Sequence, residues 1–410
     1  MYPNLYFALE DLFGWNLPAL KLINSFGFFV ALAFLVAHVL LRKELSRMGQ
    51  HGWFPTGKRT DWVGLPPSPL DLAIQALMGF FLGWKVLYLV IHADTLFQGG
   101  GLPQAHLFSA EGNVFWGVMV ALILTGWRYW EVKRQALPEP KRVSSEVLPA
   151  EHVGGITAAA AIGGIAGAKL FHLLEYPEEF KAFLLNPSLN AFLGGLTIYG
   201  GLIVGGLSVY VYARRHKLNF LRLADATSPG LLLAYGIGRI GCQISGDGDW
   251  GIPNPAPKPT WLQWAPDWLW SYAYPNNVNG VYGPRAAGYT GKLIDPAKHP
   301  WPSFEGYGTY LDPMVFPTPI YETLAATLGF AMLWAMRHRW VHPGQLFAAY
   351  LMFNGLERFW IEKIRVNVTF DLLGMDVTQA ELISVLTFLA GASLWFWVQS
   401  SPSKRYQSQS

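Results

Sequence analysis

The chain of 410 residues is 52% hydrophobic and only 14% charged, and it contains 18 tryptophans. This composition is far from that of an ordinary soluble domain and indicates a membrane protein. The net charge of +3 is too small to indicate a nucleic-acid partner. Cys242 is the only cysteine, which excludes an intrachain disulfide and a zinc site built from several thiolates.

Apolar runs long enough to cross a bilayer recur along the whole chain, since a spanning helix needs about 20 such residues. The sequence therefore predicts an all-α polytopic membrane protein with about nine transmembrane helices. The predicted helices begin near Leu22, Leu70, Val114, Gly154, Phe192, Asp225, Pro319, Gly344 and Thr378. The first run lacks a cleavage site of small residues, so we expect it to be retained as a span.

Most basic residues between these runs follow the first, third, fifth and seventh predicted helices. Loops rich in Lys and Arg stay in the cytoplasm, whereas the intervening loops are almost free of basic residues. We therefore expect the N-terminus to lie outside and the C-terminus, with the tail at 401–410, to lie in the cytoplasm.

The polar and broken stretch at 247–316 is rich in Pro, Gly, Asn and aromatic residues, and it predicts an irregular external insert. It divides the chain into N-terminal helix pairs at 1–150, core helices at 151–246, the insert, and C-terminal core helices at 317–400. Two helix pairs also echo each other through the spacings Gly83/Lys85/Leu89 and Gly167/Lys169/Leu173. Either duplication of a helix pair or coincidence accounts for the shared spacing.

Ionisable side chains inside spans are costly and usually face the interior of the helix bundle or a wet cavity. Arg239 and Arg358 each lie 14 residues past the inner end of a predicted helix, which is about 21 Å at 1.5 Å per residue. Lys169 and Tyr199 fall in the same outer third of their predicted helices. The sequence therefore predicts a cationic pocket that faces outward.

A guanidinium group cannot lose its charge in a protein, and its planar fork of donors matches a phosphate. Two such groups in the outer third of a membrane favour binding of a phospholipid headgroup. The alternative is structural ion pairing, for example between Arg358 and Glu362 one helical turn later.

Two further groups of residues each have two interpretations. Gly200 and Gly201 lie in a glycine-rich helix, where small residues either let helices pack closely or admit a substrate to the backbone. Ser245, Asp247 and Asp249 follow the predicted helix that carries Arg239, where they either bind substrate or cap the helix end.

Five motifs in order resemble the prolipoprotein diacylglyceryl transferase family. The most specific is the segment 226–251, which contains Gly238-Arg239-Ile240-Gly241 and ends in Asp249-Trp250-Gly251. The other four lie at 167–170, 194–202, 317–322 and 358–365. The likeness covers roughly 154–398 and one helix of an N-terminal pair, so the chain resembles a longer variant of the family with an extra helix pair and the external insert.

This resemblance implies the first step of bacterial lipoprotein maturation. The family transfers the diacylglyceryl group of phosphatidylglycerol to the thiol of the lipobox cysteine in the signal peptide of a preprolipoprotein, and it releases glycerol phosphate. The resemblance also implies a multi-pass protein of the bacterial cytoplasmic (inner) membrane whose active site lies towards the outer leaflet. No metal and no organic cofactor are expected.

The site residues that the resemblance implies follow the motifs. We expect Arg239 and Arg358 to be essential for catalysis and Tyr199 to take part in it. The residues expected to bind phosphatidylglycerol are Lys169, Gly200, Gly201, Arg239, Cys242, Ser245, Asp247, Asn354, Glu362 and Arg365.

The sequence departs from the family pattern at several site positions. Tyr199 stands where the family commonly has histidine, Cys242 where it has asparagine, and Asn354 where it has tyrosine. A tyrosine with a pKa of about 10 is a poor general base. The sequence therefore leaves the proton acceptor unnamed. A catalytically inactive lipid-binding relative and a membrane transporter with midspan charges are the alternative functions.

Overall fold

The structure is a computed structural model that describes most of the chain. The described residues are 1–96, 106, 109–185, 195, 197–280, 283–284, 288–340, 342–367, 369–372 and 374–400. Gly194 of the glycine-rich motif and the predicted cytoplasmic tail at 401–410 lie outside them. The chain forms two compact units: one of Met1–Ala8, Asn24–Pro55 and Ala213–Ser410, and another of Leu9–Ile23 and Thr56–Tyr212. The domain limits expected from the sequence stay a prediction.

A described helix overlaps each predicted span. They are α1 (Leu5–Phe13), α2 (Ser25–Gln50), α3 (Pro69–Ile91), α4 (Val114–Gln135), α5 (Val153–Glu175), α6 (Pro177–Leu185), α7 (Ile198–Arg215), α8 (Phe220–Ser245), α9 (Thr318–Met336), α10 (Gln345–Glu362) and α11 (Gln379–Ser400). Four of them, α2, α3, α5 and α11, are long and apolar enough to cross a membrane by length and composition. This is consistent with a helical membrane protein, whereas the nine spans and their orientation stay predictions.

Three small antiparallel sheets were missing from the all-α prediction. The loops after α2 and α4 pair as β1 (Gly57–Val63) and β2 (Lys141–Val147). The insert contains β3 (Gly283–Pro284), β4 (Thr290–Leu293) and β5 (Thr309–Asp312), and the loop before α11 contains β6 (Thr369–Leu372) and β7 (Met375–Thr378). β1 and β2 are far apart in the sequence. Hydropathy is a local property, so it does not predict that these two segments pair.

The first unit is built around α8, which packs against α2, α9 and α10, while α10 packs against α11. Buried Asp225 of α8 fixes the start of α10. Its two carboxylate oxygens accept hydrogen bonds from the backbone N–H groups of Gly344 and Phe347, at 2.7 and 2.9 Å. A carboxylate is favourable at this position because the first N–H groups of a helix have no partner within it.

The insert has a core of its own, in contrast to the irregular segment that its composition predicts. Buried aromatic and aliphatic side chains meet there, namely Trp250, Tyr274, Tyr289, Leu311 and Val315. The Tyr274 hydroxyl donates to the side-chain oxygen of Gln243 in α8, at 2.7 Å. Aromatic residues of the insert therefore form much of the core that stabilises it.

In the second unit, the two echoing motifs have similar local surroundings. A Cβ atom on Gly83 of α3 would lie 2.1 Å from the Trp116 oxygen of α4, and one on Gly167 of α5 would lie 2.3 Å from the Gly200 oxygen of α7. The lysines two positions later, Lys85 and Lys169, are both buried. Each motif thus places a glycine at a close crossing with the next long helix.

We predict that Gly391→Ala destabilises the pairing of α10 and α11. The added Cβ would lie 2.8 Å from the Ala348 oxygen, and backbone atoms cannot give way cheaply. The free energy of unfolding should fall by about 1–3 kcal/mol, as for other overpacked interiors. Thermal unfolding in detergent measures the change.

Gly206→Ala is the matched control because a Cβ atom added to that glycine would lie within 4 Å of no described atom beyond its chain neighbours and its own helix backbone. It should be neutral or stabilising by up to about 1 kcal/mol, because alanine favours helix over glycine. Equal effects of the two substitutions would contradict the close packing of α10 and α11.

Candidate active site

The Gly238-Arg239-Ile240-Gly241 motif lies in the last two turns of α8. The helix ends at Ser245 because Gly246 takes a left-handed conformation with φ of +65°, which glycine adopts without a steric cost. A Cβ atom there would also lie 2.7 Å from that of Asn277. The chain then turns back, which brings Asp249 to the Arg239 side chain ten positions earlier.

Arg239 belongs to a closed ring of two guanidinium groups and two carboxylates. It donates hydrogen bonds to Asp249 and to Glu322, the latter at 2.7 Å. Arg365 donates to the same two carboxylates, at 2.7 Å to Asp249 and 3.2 Å to Glu322. Positive and negative groups therefore alternate around the ring, and their formal charges cancel.

Four parts of the chain meet at the ring, and two of them are the end of α8 with Arg239 and the turn after it with Asp249. Glu322 lies in the first turns of α9, and Arg365 follows the end of α10. Gly251 forms an isolated antiparallel bridge with Arg365, and a Cβ atom on Gly251 would lie only 2.5 Å from the Ile364 oxygen. A glycine is needed at this position because the two backbones approach so closely.

Three of the four ring side chains are largely removed from solvent, whereas the Asp249 side chain is 38% exposed. Glu322 is fully buried and Arg239 is 8% exposed. Burial by itself would raise the pKa of the Asp249 carboxyl, but the charges of Arg239 and Arg365 outweigh it and hold that pKa at about 2. Asp249 is therefore ionised at neutral pH. The second Glu322 oxygen accepts from the Tyr235 hydroxyl, which fixes the carboxylate further.

Each of the two ring arginines has one hydrogen-bond donor that the ring does not use. The Nε–H groups of Arg239 and Arg365 are buried and have no hydrogen-bond partner among the described residues. Buried donors are rarely left unpaired in folded proteins. An anionic oxygen of a substrate would satisfy them.

Arg358, the second predicted essential arginine, is ion-paired with Glu362 at 3.1 Å and is 29% exposed. Glu362 also accepts a hydrogen bond from Asn367. The ion pair with Glu362 that the structural alternative predicts for Arg358 is therefore present. Because Arg358 is partly exposed, this pair leaves part of its guanidinium group open to a ligand. Asn354 lies one turn before Arg358 on α10.

The residues at the end of α8 make mainly local contacts. The Cys242 thiol is buried, and its sulfur accepts from Arg239 at 3.4 Å and donates to Asp249 at 3.8 Å. Ser245 donates to the Cys242 oxygen at 3.4 Å, and Asp247 accepts from the Asp249 backbone at 3.2 Å. Ser245 and Asp247 thus have the contacts expected of a helix end.

Among the described residues, Cys242, Asp247 and Asp249 bring potential metal-ligand atoms within 4.8 Å of one another. The two guanidinium groups on Asp249 oppose a cation at this position by charge repulsion. The donor set therefore suits a metal poorly.

The other predicted site residues belong to the second unit. Lys169 is buried in α5, and Tyr199 is half-buried at the start of α7. A Cβ atom on Gly200 would lie 2.4 Å from the Gly167 oxygen, and one on Gly201 would lie 3.1 Å from the Gly164 oxygen. Both glycines thus have the contacts of close helix packing, and their role in substrate binding stays a prediction.

The sequence prediction left out two acidic residues of this region. Glu322 closes the ring, and Glu357 in α10 has a buried carboxylate oxygen with no hydrogen-bond partner among the described residues. A glutamate inside a predicted span is itself a signal of function. The sequence prediction followed the basic residues at that depth and gave too little weight to the acidic ones.

The sequence profile described as prolipoprotein diacylglyceryl transferase matches residues 139–397, which include all four members of the ring. The chain belongs to the prolipoprotein diacylglyceryl transferase family. Residues 1–138 lie outside the match.

Three relatives of the family illustrate the similarity. The phosphatidylglycerol–prolipoprotein diacylglyceryl transferase of Corynebacterium glutamicum is 32% identical over 286 residues, which cover 69% of this chain and 76% of the relative. The protein of the same name from Corynebacterium efficiens is 30% identical over 67% of this chain and 72% of its own length. That from Cutibacterium acnes is 26% identical over 76% and 81%.

We predict that Glu322→Gln strongly destabilises this family member. The substitution keeps the size of the side chain but removes one negative charge that two buried arginines share. Breaking a buried ion pair by removing one partner typically costs about 3–5 kcal/mol. Thermal unfolding in detergent measures the change.

The control is Glu178→Gln, which removes one partner of an exposed ion pair with Lys181. It should cost less than about 1 kcal/mol. A Glu322→Gln protein as stable as this control would show that the ring does not hold the helices together.

Proposed function

We propose that the protein is a transferase that moves the diacylglyceryl group of phosphatidylglycerol to the lipobox cysteine thiol of a preprolipoprotein, with release of glycerol phosphate. The ring is the observation that carries this proposal. It holds Arg239 of the family's Gly-Arg-Ile-Gly motif and Arg365 in fixed positions, and each keeps a buried donor without a partner among the described residues. The relatives are named as diacylglyceryl transferases with phosphatidylglycerol and prolipoprotein as substrates. These observations favour the transferase over the transporter alternative.

In this proposal the phosphate of the lipid accepts hydrogen bonds from the Nε–H groups of Arg239 and Arg365. Arg358 adds a positive charge that is partly open to solvent. The phosphate gains negative charge when its bond to the diacylglycerol carbon breaks. Donors that are already held in place stabilise that charge without reorganising during the reaction.

The reaction itself is a displacement at carbon. The lipobox thiol loses its proton, and the thiolate sulfur attacks the methylene carbon that joins the diacylglycerol to the phosphate. A carbon–sulfur bond forms while the carbon–oxygen bond breaks, and its electron pair leaves with the phosphate oxygen of glycerol phosphate. The site must therefore supply an acceptor for one proton.

Glu357 is the acceptor in this proposal. Its carboxylate has a buried oxygen without a partner among the described residues, and its charged neighbours are Glu322, Arg358, Arg239 and Arg365. A carboxylate beside the phosphate-binding arginines is placed to take the proton of an approaching thiol. For Tyr199, Lys169, Gly200 and Gly201 we keep the substrate-binding role that the family resemblance implies.

The proposal also assigns the location of the reaction. The protein lies in the bacterial cytoplasmic membrane with its N-terminus outside, and the long helices span the bilayer. The ring then faces the outer leaflet, where a lipoprotein signal peptide presents its cysteine. The clusters of basic residues in alternate loops support this orientation.

The direct test uses the purified full-length protein with phosphatidylglycerol and a lipobox peptide. Mass spectrometry should detect a thioether-linked diacylglyceryl group on the peptide. Lipid that binds without any product would instead support the inactive relative.

We predict that Arg358→Ala lowers the transfer rate by about 10²–10³-fold, which is typical for the loss of one group that stabilises developing negative charge. Arg358 is the better choice for this test because it lies outside the ring and is partly exposed. The variant should therefore still fold, which thermal unfolding checks.

Arg59→Ala is the matched control, since Arg59 forms an exposed pair with Asp61 in β1. It should keep the wild-type rate. An Arg358→Ala enzyme as active as this control would remove Arg358 from the mechanism.

We predict that Glu357→Gln lowers the transfer rate by about 10²–10⁴-fold, the usual contribution of a general base. The wild-type rate should rise with pH as the carboxylate loses its proton, and this rising limb should disappear in the variant. Glu357→Asp, which keeps a carboxyl group at this position, should retain the rise of the transfer rate with pH. A Glu357→Gln enzyme with the wild-type pH profile would exclude Glu357 as the acceptor.

A further inference from the structure

A group of exposed tryptophans lies on one part of the insert, which we call the Trp segment (residues 258–270). The side chains of Trp261, Trp264 and Trp268 are 70%, 81% and 46% exposed. Leu262 and Ala265 between them are buried. Large apolar side chains grouped on a surface usually mark a contact with a partner or a membrane.

The Trp segment is held in one conformation by hydrogen bonds at its base. Lys258 donates to the Ala265 oxygen and to the Asp267 carboxylate, the latter at 2.9 Å. The Trp270 indole donates to the Ala256 oxygen at 2.9 Å. The tryptophans are therefore presented on a fixed turn, which lowers the entropy lost when they bind a surface.

The Trp segment is hydrogen-bonded to α9 at the start of an exposed apolar face of that helix. The Tyr321 hydroxyl donates to the Leu269 oxygen at 2.7 Å. Tyr321, Leu324, Leu328 and Met332 follow one another at spacings of three or four residues, so they lie on one face of the helix. The last three are 58%, 61% and 50% exposed. An exposed apolar stripe of this length is the pattern of a surface that faces lipid.

We propose that the Trp segment docks into the headgroup layer of the outer leaflet and anchors the insert to the membrane surface. The stripe on α9 would lie against the lipid chains, and the Trp segment is attached where that stripe begins. Tryptophan prefers this layer because its ring is amphipathic. Because the charge of Lys258 is paired with Asp267, the groups that the Trp segment presents to lipid are mainly aromatic rings.

Docking of the Trp segment has a consequence for the ring. Tyr321 holds the Trp segment, and the next residue, Glu322, holds Arg239 and Arg365. The first turn of α9 therefore couples the depth of the tryptophans to the depth of the ring arginines. This consequence and the choice of the outer leaflet rest on the proposed function, whereas the docking into a headgroup layer does not.

The test places a fluorescent label on the Trp segment. The variant Trp264→Cys is labelled with an environment-sensitive fluorophore and reconstituted as the full chain into phospholipid nanodiscs. Lys298→Cys is the matched control, because Lys298 is in the same insert and its side chain is 77% exposed. The parent chain, whose Cys242 is buried, is treated alike and gives the background.

Two quenchers separate the outcomes. The label at 264 should emit at shorter wavelength than that at 298, and a lipid with a nitroxide near its headgroup should quench it. Aqueous iodide should quench the label at 298 more strongly. Equal quenching of both labels by iodide would overturn the proposal.

A label at 264 that resists both quenchers would also overturn the proposal, because the Trp segment would then be covered by protein, such as a second copy of the chain or a peptide. Trp261→Cys repeats the measurement if Trp264→Cys does not fold. The fluorescence measurement requires no catalytic activity. It therefore tests the docking even if the transfer assay detects no product.

Discussion

The ring of Arg239, Glu322, Arg365 and Asp249 is the interaction on which the rest of the first unit depends. It ties together α8, the start of α9, the chain after α10 and the start of the insert. Each charge has two partners, so the loss of one carboxylate leaves two buried arginines undercompensated. The same constraint keeps the arginines in place for a phosphate, so stability and the proposed chemistry share one set of contacts.

The start of α9 links this ring to the surface of the protein. Consecutive residues in its first turn face different parts of the structure: Tyr321 contacts the Trp segment and Glu322 contacts the ring. The insert supplies Asp249 to the ring and the tryptophans to the surface. It therefore has a part both in the candidate active site and in the proposed contact with lipid.

Sequence patterns predicted a mostly helical chain, and four helices among the described residues are long and apolar enough to cross a membrane, because hydrophobic length is a local property. They also selected Arg239 and Arg358, since a charge inside an apolar run is visible in the sequence. They missed the ladder of β1 and β2, whose strands are far apart in the chain. The partners of Arg239 were missed as well, because Glu322 lies 83 residues later and only the folded chain brings the two together.

The sequence by itself determined that this is a helical membrane protein and that it resembles the transferase family, because hydropathy and short motifs are local properties. Tertiary structure decided that Arg239 is paired with two carboxylates and that Arg365, more than Arg358, shares its environment. It also gave the insert an aromatic core and an outward group of tryptophans. Burial and long-range ion pairing depend on which distant segments meet, and that is fixed only when the chain folds.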